Sequence, residues 1–226
     1  MTRLSLLTFS LSLLFFAAEA QVSFDLQYGA SRQDYSNTTF RLNYQINDTW
    51  RIGGEFQGSD YRYRFIDARK IENGFASETR LFVLGRLAEN DLIRLDFFAK
   101  AGWRSVVASD ETQEVNYAFE NSGAVIFDPG LLVTIKASEK FFWHTGVRLP
   151  ITYQVNPEPL AEQLQSSYIM LGGSYSLGER WALLANGSTG ATFGAGGDTE
   201  KYMWRIDAGL RFSLFNDAKQ NLITGY

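Results

Sequence analysis

Apolar and polar residues alternate along much of the chain, and segment 202–214 shows this most clearly. Its apolar positions are Tyr202, Trp204, Ile206, Ala208, Leu210, Phe212 and Leu214, and most residues between them are polar or charged. Successive side chains of a β-strand point to opposite faces, so this period of two predicts a strand with one apolar and one polar face. The apolar face has aromatic residues at one end and aliphatic residues in its middle, which is typical of a strand facing lipid.

The pattern recurs, and the sequence predicts ten strands in all. They cover residues 22–30, 38–46, 50–58, 78–87, 92–104, 123–136, 141–153, 168–177, 181–187 and 202–214. The breaks between them are rich in Asn, Asp, Ser, Gly and Glu, which favour turns. Eight strands remain the alternative if the short segment 181–187 does not cross the membrane.

The predicted connections are short after even-numbered strands and longer after odd-numbered ones. A transmembrane barrel has this asymmetry, with short turns at its periplasmic rim and longer loops outside. An even number of strands then places both chain termini at the short-turn rim. We also expect the alternating stretch 61–65 to extend the third strand into a hairpin beyond the membrane.

Charged residues occupy only one of the two predicted faces. A charge facing lipid at mid-depth costs about 2–4 kcal/mol, so a lipid-facing surface excludes charges. The charged face therefore lines the lumen, whereas a soluble lipocalin-like barrel would enclose the apolar face. The lumen charges selected as site candidates are Arg51, Glu55, Arg94, Asp96, Lys100, Arg104, Arg148, Arg205, Asp207 and Arg211.

Aromatic residues at the ends of the strands form two predicted belts at the membrane interfaces. They are Trp50, Trp103, Phe141, Trp143, Tyr153, Tyr168, Trp181 and Tyr202. Such belts mark headgroup boundaries, whereas a soluble β-sandwich, the main alternative, has no reason to sort aromatic residues by height. The predicted fold is therefore all-β: a transmembrane antiparallel up-and-down β-barrel of ten strands.

Two features depart from an ideal barrel. Pro129 falls inside the sixth strand, where a closed sheet needs every N–H, so we expect a bulge at 128–130. Apolar residues on strands four to seven also point inward, and we expect them to form a small apolar plug. They are Phe82, Leu84, Phe98, Ile126, Leu132 and Phe142.

Composition adds a prediction of export. Residues 1–20 combine an early Arg3, an apolar stretch and a small-residue cleavage site, which is the pattern of a cleaved signal peptide. The apolar stretch is shorter than the ~20 residues of a membrane-spanning helix. No long apolar run follows it, which excludes a helical membrane protein, and the net charge of −4 gives no argument for binding nucleic acid. The chain contains no cysteine, which suits a bacterial envelope protein.

Residues 207–214, Asp-Ala-Gly-Leu-Arg-Phe-Ser-Leu, resemble the β-signal of Gram-negative outer-membrane β-barrel proteins. The resemblance implies recognition of the last strand by the barrel-assembly machinery through Asp207, Gly209, Phe212 and Leu214. It also implies a barrel domain over residues 21–215, located in the outer membrane in contact with lipid and lipopolysaccharide. Members often end at the aromatic residue, whereas this chain continues. We interpret residues 216–226 as a polar periplasmic tail that either lies loose in the periplasm or folds into the lumen.

Candidate catalytic chemistry is scarce. His144 is the only histidine, follows a short turn, and has Gly146 rather than a serine two residues beyond it. We therefore predict an inward, hydrogen-bonded His144 and no catalytic residue, cofactor or metal site. The glycine-rich stretch 194–197 lacks the strand–helix setting of a phosphate loop and is interpreted as an outer loop.

The inner charges allow two interpretations. Ion pairs such as Arg51/Glu55, Arg94/Asp96, Asp96/Lys100 and Arg205/Asp207/Arg211 would fill a narrow lumen, because buried charges must be paired or hydrated. Basic residues outnumber acidic ones on this face, so a narrow anion-preferring passage is the alternative. The acidic residues Asp110, Glu111, Glu114 and Glu120 belong to a predicted outer loop that could bind divalent cations.

The sequence therefore predicts a monomeric, non-enzymatic outer-membrane barrel whose outer loops serve surface interaction or envelope integrity. A narrow solute pore is the second hypothesis. An envelope enzyme that cleaves lipid or peptide is the third.

Overall fold

The computed structural model describes residues 21–31, 34–64, 71–108, 121–156, 163–193 and 199–214. The predicted signal peptide (1–20), the tail (216–226), the acidic loop residues 110–120 and the glycine-rich stretch 194–197 lie outside these ranges. Regular structure in the described ranges consists of β-strands. They are β1 Gln21–Ser31, β2 Asp34–Gln45, β3 Trp50–Arg64, β4 Ile71–Glu89, β5 Ile93–Ala108, β6 Asn121–Lys136, β7 Phe141–Arg148, β8 Ile151–Asn156, β9 Gln163–Ser176, β10 Trp181–Phe193 and β11 Thr199–Ser213.

Strand β11 pairs with β1, and this pairing closes the antiparallel sheet into a barrel. Strands β7 and β8 occupy one position in the wall, because both pair with β6 on one side and with β9 on the other. The wall therefore has ten positions, as predicted. Segment 181–187 belongs to β10, which pairs with both neighbours, so the eight-strand alternative is wrong.

The barrel is apolar outside and polar inside. Leu26 is 57% exposed, whereas its chain neighbour Asp25 is fully buried. Leu210 is likewise exposed and its neighbour Arg211 buried, and Leu81 is exposed and its neighbour Arg80 buried. The predicted assignment of the two faces is thus confirmed.

The tight turns at one rim are fixed by side chains of their own residues. Asn47 Oδ1 accepts hydrogen bonds from the backbone N–H groups of Thr49 (2.9 Å) and Trp50 (2.8 Å). Asn90 does the same for Leu92 and Ile93 in the turn between β4 and β5. An Asn side chain that bonds the backbone two residues on favours a turn, which explains why these hairpins are short.

Several strands run further toward the opposite rim than predicted. Strand β3 extends to Arg64, which pairs with Ile71 of β4, so the predicted extension of the third strand holds for the residues described. Strands β9, β10 and β11 are also longer than their predicted segments. Stretches such as 188–193 were missed because they contain few large apolar residues to mark an outward face.

The bulge predicted at 128–130 is wrong. Pro129 lies opposite Ala99 of β5 without a register shift, and the interruption lies instead in the facing wall position, at Leu149 and Pro150 between β7 and β8. Leu149 N–H donates to the Pro129 carbonyl oxygen (2.9 Å), and Pro129 has no N–H to return that bond. A proline removes one bond without adding a residue, so the register stays unchanged. Register shifts occur elsewhere, for example between Arg86 and Ala88.

Candidate functional site: the charged lumen

One row of charged residues crosses five neighbouring strands inside the barrel. Direct strand pairing places Arg211 opposite Asp25, Asp25 opposite Arg41, Arg41 opposite Glu55, and Glu55 opposite Arg80. The sign of the charge alternates at every step, and all five residues are buried. Because directly opposite side chains lie close together on one face, the strand register itself builds this charge row.

Glu55 is the centre of the charge row. Its carboxylate accepts hydrogen bonds from Arg41 Nε (2.9 Å), Arg80 Nη1 (3.0 Å) and Lys100 Nζ (3.1 Å). Each of the three cations is itself buried. A buried carboxylate needs charged partners and several donors to be tolerated, and Glu55 has both.

Asp25 joins the first strand to the last. Arg211 donates from Nε to Oδ1 (2.6 Å) and from Nη2 to Oδ2 (2.7 Å), which is a bidentate ion pair. A second cation, Arg41, lies 3.7 Å from the same carboxylate. The barrel is therefore closed by an ion pair as well as by backbone hydrogen bonds.

Further pairs surround the charge row. Arg80 also contacts Glu78, and Glu78 lies 3.6 Å from Arg104. Arg205 pairs with Asp207 (2.6 Å) and donates to Asn37 and Thr39. Ion pairs thus continue from the charge row to other parts of the lumen wall.

Arg148 has two partners inside the barrel. It pairs with Asp128 at 3.3 Å, and its guanidinium carbon lies 4.8 Å from the centre of the Tyr168 ring. Tyr168 therefore faces the lumen, which corrects its prediction as a membrane-interface aromatic. The reason is parity: Tyr168 lies opposite Arg148 and is two residues from the buried Met170, so it shares their face.

The space left at this level is small. A cavity of about 20 Å³, room for about one water molecule, is lined by Thr39, Arg41, Glu55, Arg80, Lys100, Arg148, Ser188, Arg205 and Asp207. Charged side chains thus fill most of the lumen at the charge row.

The lumen widens toward the short-turn rim. A cavity of about 790 Å³, here called the vestibule, is lined by Gln45, Asp48, Arg86, Glu89, Asn90, Asp91, Leu92, Ile93, Arg94, Thr134, Lys136, Glu139 and Phe142. Acidic and basic residues both line it. The vestibule is thus a mixed-charge chamber at the rim that holds the start of β1 and the end of β11.

An apolar cluster borders the charged region on the side of the short-turn rim. It consists of Leu84, Phe98, Leu132 and Met170, all buried. Three of its members were predicted, and Met170 was missed. Of the other predicted members, Ile126 is buried, Phe82 lies beside the guanidinium of Arg41 (5.7 Å), and Phe142 lines the vestibule.

His144 is fully buried inside the wall of β7, as predicted for an inward histidine. Its Nε2 is 2.9 Å from Asn186 Oδ1, and Asn186 donates to Gln27 Oε1 at 2.9 Å. This chain of hydrogen bonds links β7, β10 and β1 across the lumen. Within the described ranges, no group of three or more His, Cys, Asp or Glu residues is arranged to hold a metal ion.

The structure places all ten lumen-charge candidates on the inner face, and two expected pairs form: Arg94/Asp96 (2.7 Å) and Arg205/Asp207. Lys100 contacts Glu55 rather than Asp96, and Arg211 pairs with Asp25. Asp25, Arg41 and Arg80 lie on the same charged face but are not among the ten candidates. Their importance follows from strand register, which the alternation does not contain.

The remaining predicted site residues have these positions. Trp50, Trp103, Trp143, Tyr153, Trp181 and Tyr202 are exposed on the outer face, and Phe141 is half-buried against Trp143. Of the β-signal residues, Asp207 is buried in the lumen and Leu214 is exposed. Gly209 lies opposite Gln27, and a Cβ there would overlap the Leu26 carbonyl oxygen. The Phe212 ring packs on Trp181 with centroids 4.8 Å apart.

Helices long and apolar enough to cross a membrane are not found in the part of the chain that the structure describes. No protein-family model matches the sequence. No curated protein matches it either.

Three similar solved structures are distant in sequence. The COG4313 outer membrane channel from Pseudomonas putida F1 has a TM-score of 0.51 and 10% identity, over 86% of this chain and 95% of that one. The NanC porin has a TM-score of 0.47 and 10% identity, over 84% and 100%. The outer membrane protease OmpT from Escherichia coli has a TM-score of 0.43 and 11% identity, over 86% and 96%. The likeness to the first of these concerns the fold alone: the chain has the fold of outer-membrane β-barrel proteins.

Proposed function

We propose that the protein is a monomeric, non-enzymatic outer-membrane barrel whose lumen is closed at mid-height. In this proposal the chain is exported by a cleaved signal peptide and inserted by the barrel-assembly machinery. It is surrounded by lipid and lipopolysaccharide, and its outer loops act in surface interaction or envelope integrity.

The closed lumen carries the proposal. Arg41, Glu55 and Lys100 at the charge row are at most 4% exposed, and the cavity that they line measures about 20 Å³, which accommodates about one water molecule. The residues that fill the space are held by ion pairs such as those of Glu55. Side chains held by several charge-assisted bonds in a buried site resist displacement.

The position of His144 supports a non-enzymatic role. A general base must reach its substrate directly or through one water, and this fully buried ring contacts Asn186 instead. Replacing His144 with Gln should therefore leave unchanged any lipid- or peptide-cleaving activity detected in membranes that contain the protein. Loss of such an activity would favour the enzyme hypothesis.

A narrow anion-preferring pore is the second candidate. It is favoured by the excess of basic over acidic residues around the 20 Å³ cavity and by the 790 Å³ vestibule leading toward it. Basic linings favour anions. In this hypothesis the lumen side chains move enough to let small anions pass.

Conductance in planar bilayers separates the two candidates. We expect no steady current from the folded wild type. A steady anion-selective current would contradict the closed barrel and support the pore hypothesis. The double variant Arg148→Ala/Arg205→Ala shortens two lining side chains and should raise the conductance. It serves as the positive control, because a current from this variant shows that inserted protein can be detected.

Location is tested by fractionation. We expect the protein in the outer-membrane fraction, with a gel mobility that changes on boiling because folded barrels resist detergent. Recovery in the soluble periplasmic fraction would contradict the proposal.

A further inference from the structure

The cavity at the charge row is lined by more cations than carboxylates. Five cations line it, and two carboxylates, Glu55 and Asp207, face them. The cations are Arg41, Arg80, Lys100, Arg148 and Arg205. Arg41, Arg80 and Lys100 are buried, and an excess of buried positive charge is unfavourable unless a counter-ion is present.

Extending the count to contacting residues does not remove the excess. Asp25, Glu78 and Asp128 each contact one lining cation, which adds three carboxylates. Asp25 is also bound by Arg211, and Glu78 also lies near Arg104, which adds two cations. Within this described contact network, seven cations face five carboxylates.

Some buried hydrogen-bond donors beside the cavity also lack an acceptor. The Lys100 ammonium carries three N–H donors, and Glu55 Oε2 at 3.1 Å is the acceptor described for it. Arg80 and Arg148 each have a buried Nε–H that meets no acceptor among the described residues. Because carboxylate oxygens of Asp128 and Asp207 also lack a described donor, the charge count rather than the donor count indicates a missing anion.

We propose that this cavity binds one small monatomic anion of halide size, held by Lys100 and the surrounding arginines as a fixed counter-ion. A halide accepts several N–H bonds, brings no hydrogen that needs an acceptor, and neutralises one of the excess charges. A water molecule fits the same volume but neutralises none. The two hydroxyls of Thr39 and Ser188 complete the lining with further donors.

The first experiment measures unfolding of the full-length protein in lipid vesicles at equal ionic strength in chloride, bromide or gluconate. We expect the urea midpoint to rise saturably with chloride or bromide and not with gluconate, which is too large for the cavity. A ligand that binds only the folded state raises stability in this saturable way. Equal midpoints in the three salts would overturn the proposal.

Two variants locate the effect. Lys100→Met keeps most of the length of the side chain but removes its charge, and Ser188→Leu fills the cavity without changing the charge. We expect both to lose the chloride response, whereas Lys136→Met, at the exposed rim of the vestibule, retains it. A response retained by Lys100→Met and Ser188→Leu would contradict binding in this cavity.

A crystal of the wild type grown in bromide gives a direct test if either variant fails to fold. We expect an anomalous peak within hydrogen-bonding distance of Lys100 Nζ. Density for water alone at that position would overturn the proposal. Neither result depends on whether the barrel conducts ions, so the outcome is separate from that of the proposed function.

Discussion

Arg41 and Glu55 lie directly opposite each other on β2 and β3, and Arg41 Nε donates to Glu55 Oε2 at 2.9 Å. The same carboxylate receives Arg80 from the strand on its other side and Lys100 from β5. One acidic side chain therefore neutralises cations from three strands.

Glu55→Gln leaves three buried cations without their shared carboxylate. Breaking a buried ion pair by removing one partner costs about 3–5 kcal/mol, so we expect a loss of that order in the free energy of unfolding. Urea unfolding in lipid vesicles measures it. The control is Glu89→Gln, which breaks the partly exposed pair with Arg86 and should change stability by less than about 1 kcal/mol. Equal effects of the two variants would contradict a central role for Glu55.

Gly53 and Gly54 are neighbours on β3 with opposite tolerance of a side chain. A Cβ at Gly53 would overlap the Leu42 carbonyl oxygen and the Phe82 ring, whereas a Cβ at Gly54 would meet nothing closer than 4.0 Å. We expect Gly53→Ala to destabilise the barrel by about 1–3 kcal/mol through overpacking. Gly54→Ala should lie within about 0.5 kcal/mol of the wild type in the same unfolding assay. A reversed order would show that Phe82 does not pack over Gly53.

Pro129 has no N–H, so it cannot donate a hydrogen bond to the Leu149 carbonyl oxygen opposite it. Pro129→Ala supplies an N–H at that point, and we expect the introduced amide to be protected from hydrogen exchange by donating to Leu149. The bond itself contributes about 0.5–1.5 kcal/mol, partly offset by the greater freedom of the unfolded chain. The existing amide of Leu149, which already donates to residue 129, is the internal reference. Fast exchange at position 129 would mean that the wall is open there.

Phe212 belongs both to the predicted β-signal and to a ring pair with Trp181. If Phe212 is recognised during assembly, Phe212→Ala should lower the amount of folded barrel in cells more than Trp181→Ala does. The two variants remove the same ring contact, so their unfolding free energies after refolding from urea should be similar. The measurement is the fraction of heat-shifted protein on gels of outer membranes. Equal yields in cells would argue against recognition through Phe212.

The general architecture could be predicted because alternation alone distinguishes the two faces. Asp25 and Leu26 are adjacent in sequence, and one is fully buried in the lumen while the other is 57% exposed to the outside. The cost of a charge in lipid leaves little choice between the two faces. Asn47 and Asn90 likewise marked turns that the structure contains.

The ion pairs could be predicted only when both partners are near neighbours on one strand. Arg94/Asp96 and Arg205/Asp207 are two residues apart, a separation of roughly 7 Å that an arginine side chain spans. Asp96 and Lys100 are four residues apart on one strand, a separation of roughly 13 Å, and Lys100 contacts Glu55 instead. Residues opposite each other on neighbouring strands are only about 5 Å apart, so register decides the pairing. The same lack of register information hid the charge row.

The ion pair of Asp25 with Arg211 forms only when the first and last strands meet. Asp25 enters the membrane on the first strand, and its bidentate partner arrives on the last, 186 residues later. An assembly halted one strand early holds a sequestered carboxylate without that partner, which is unfavourable. The pair therefore favours the closed barrel over any assembly that lacks β11.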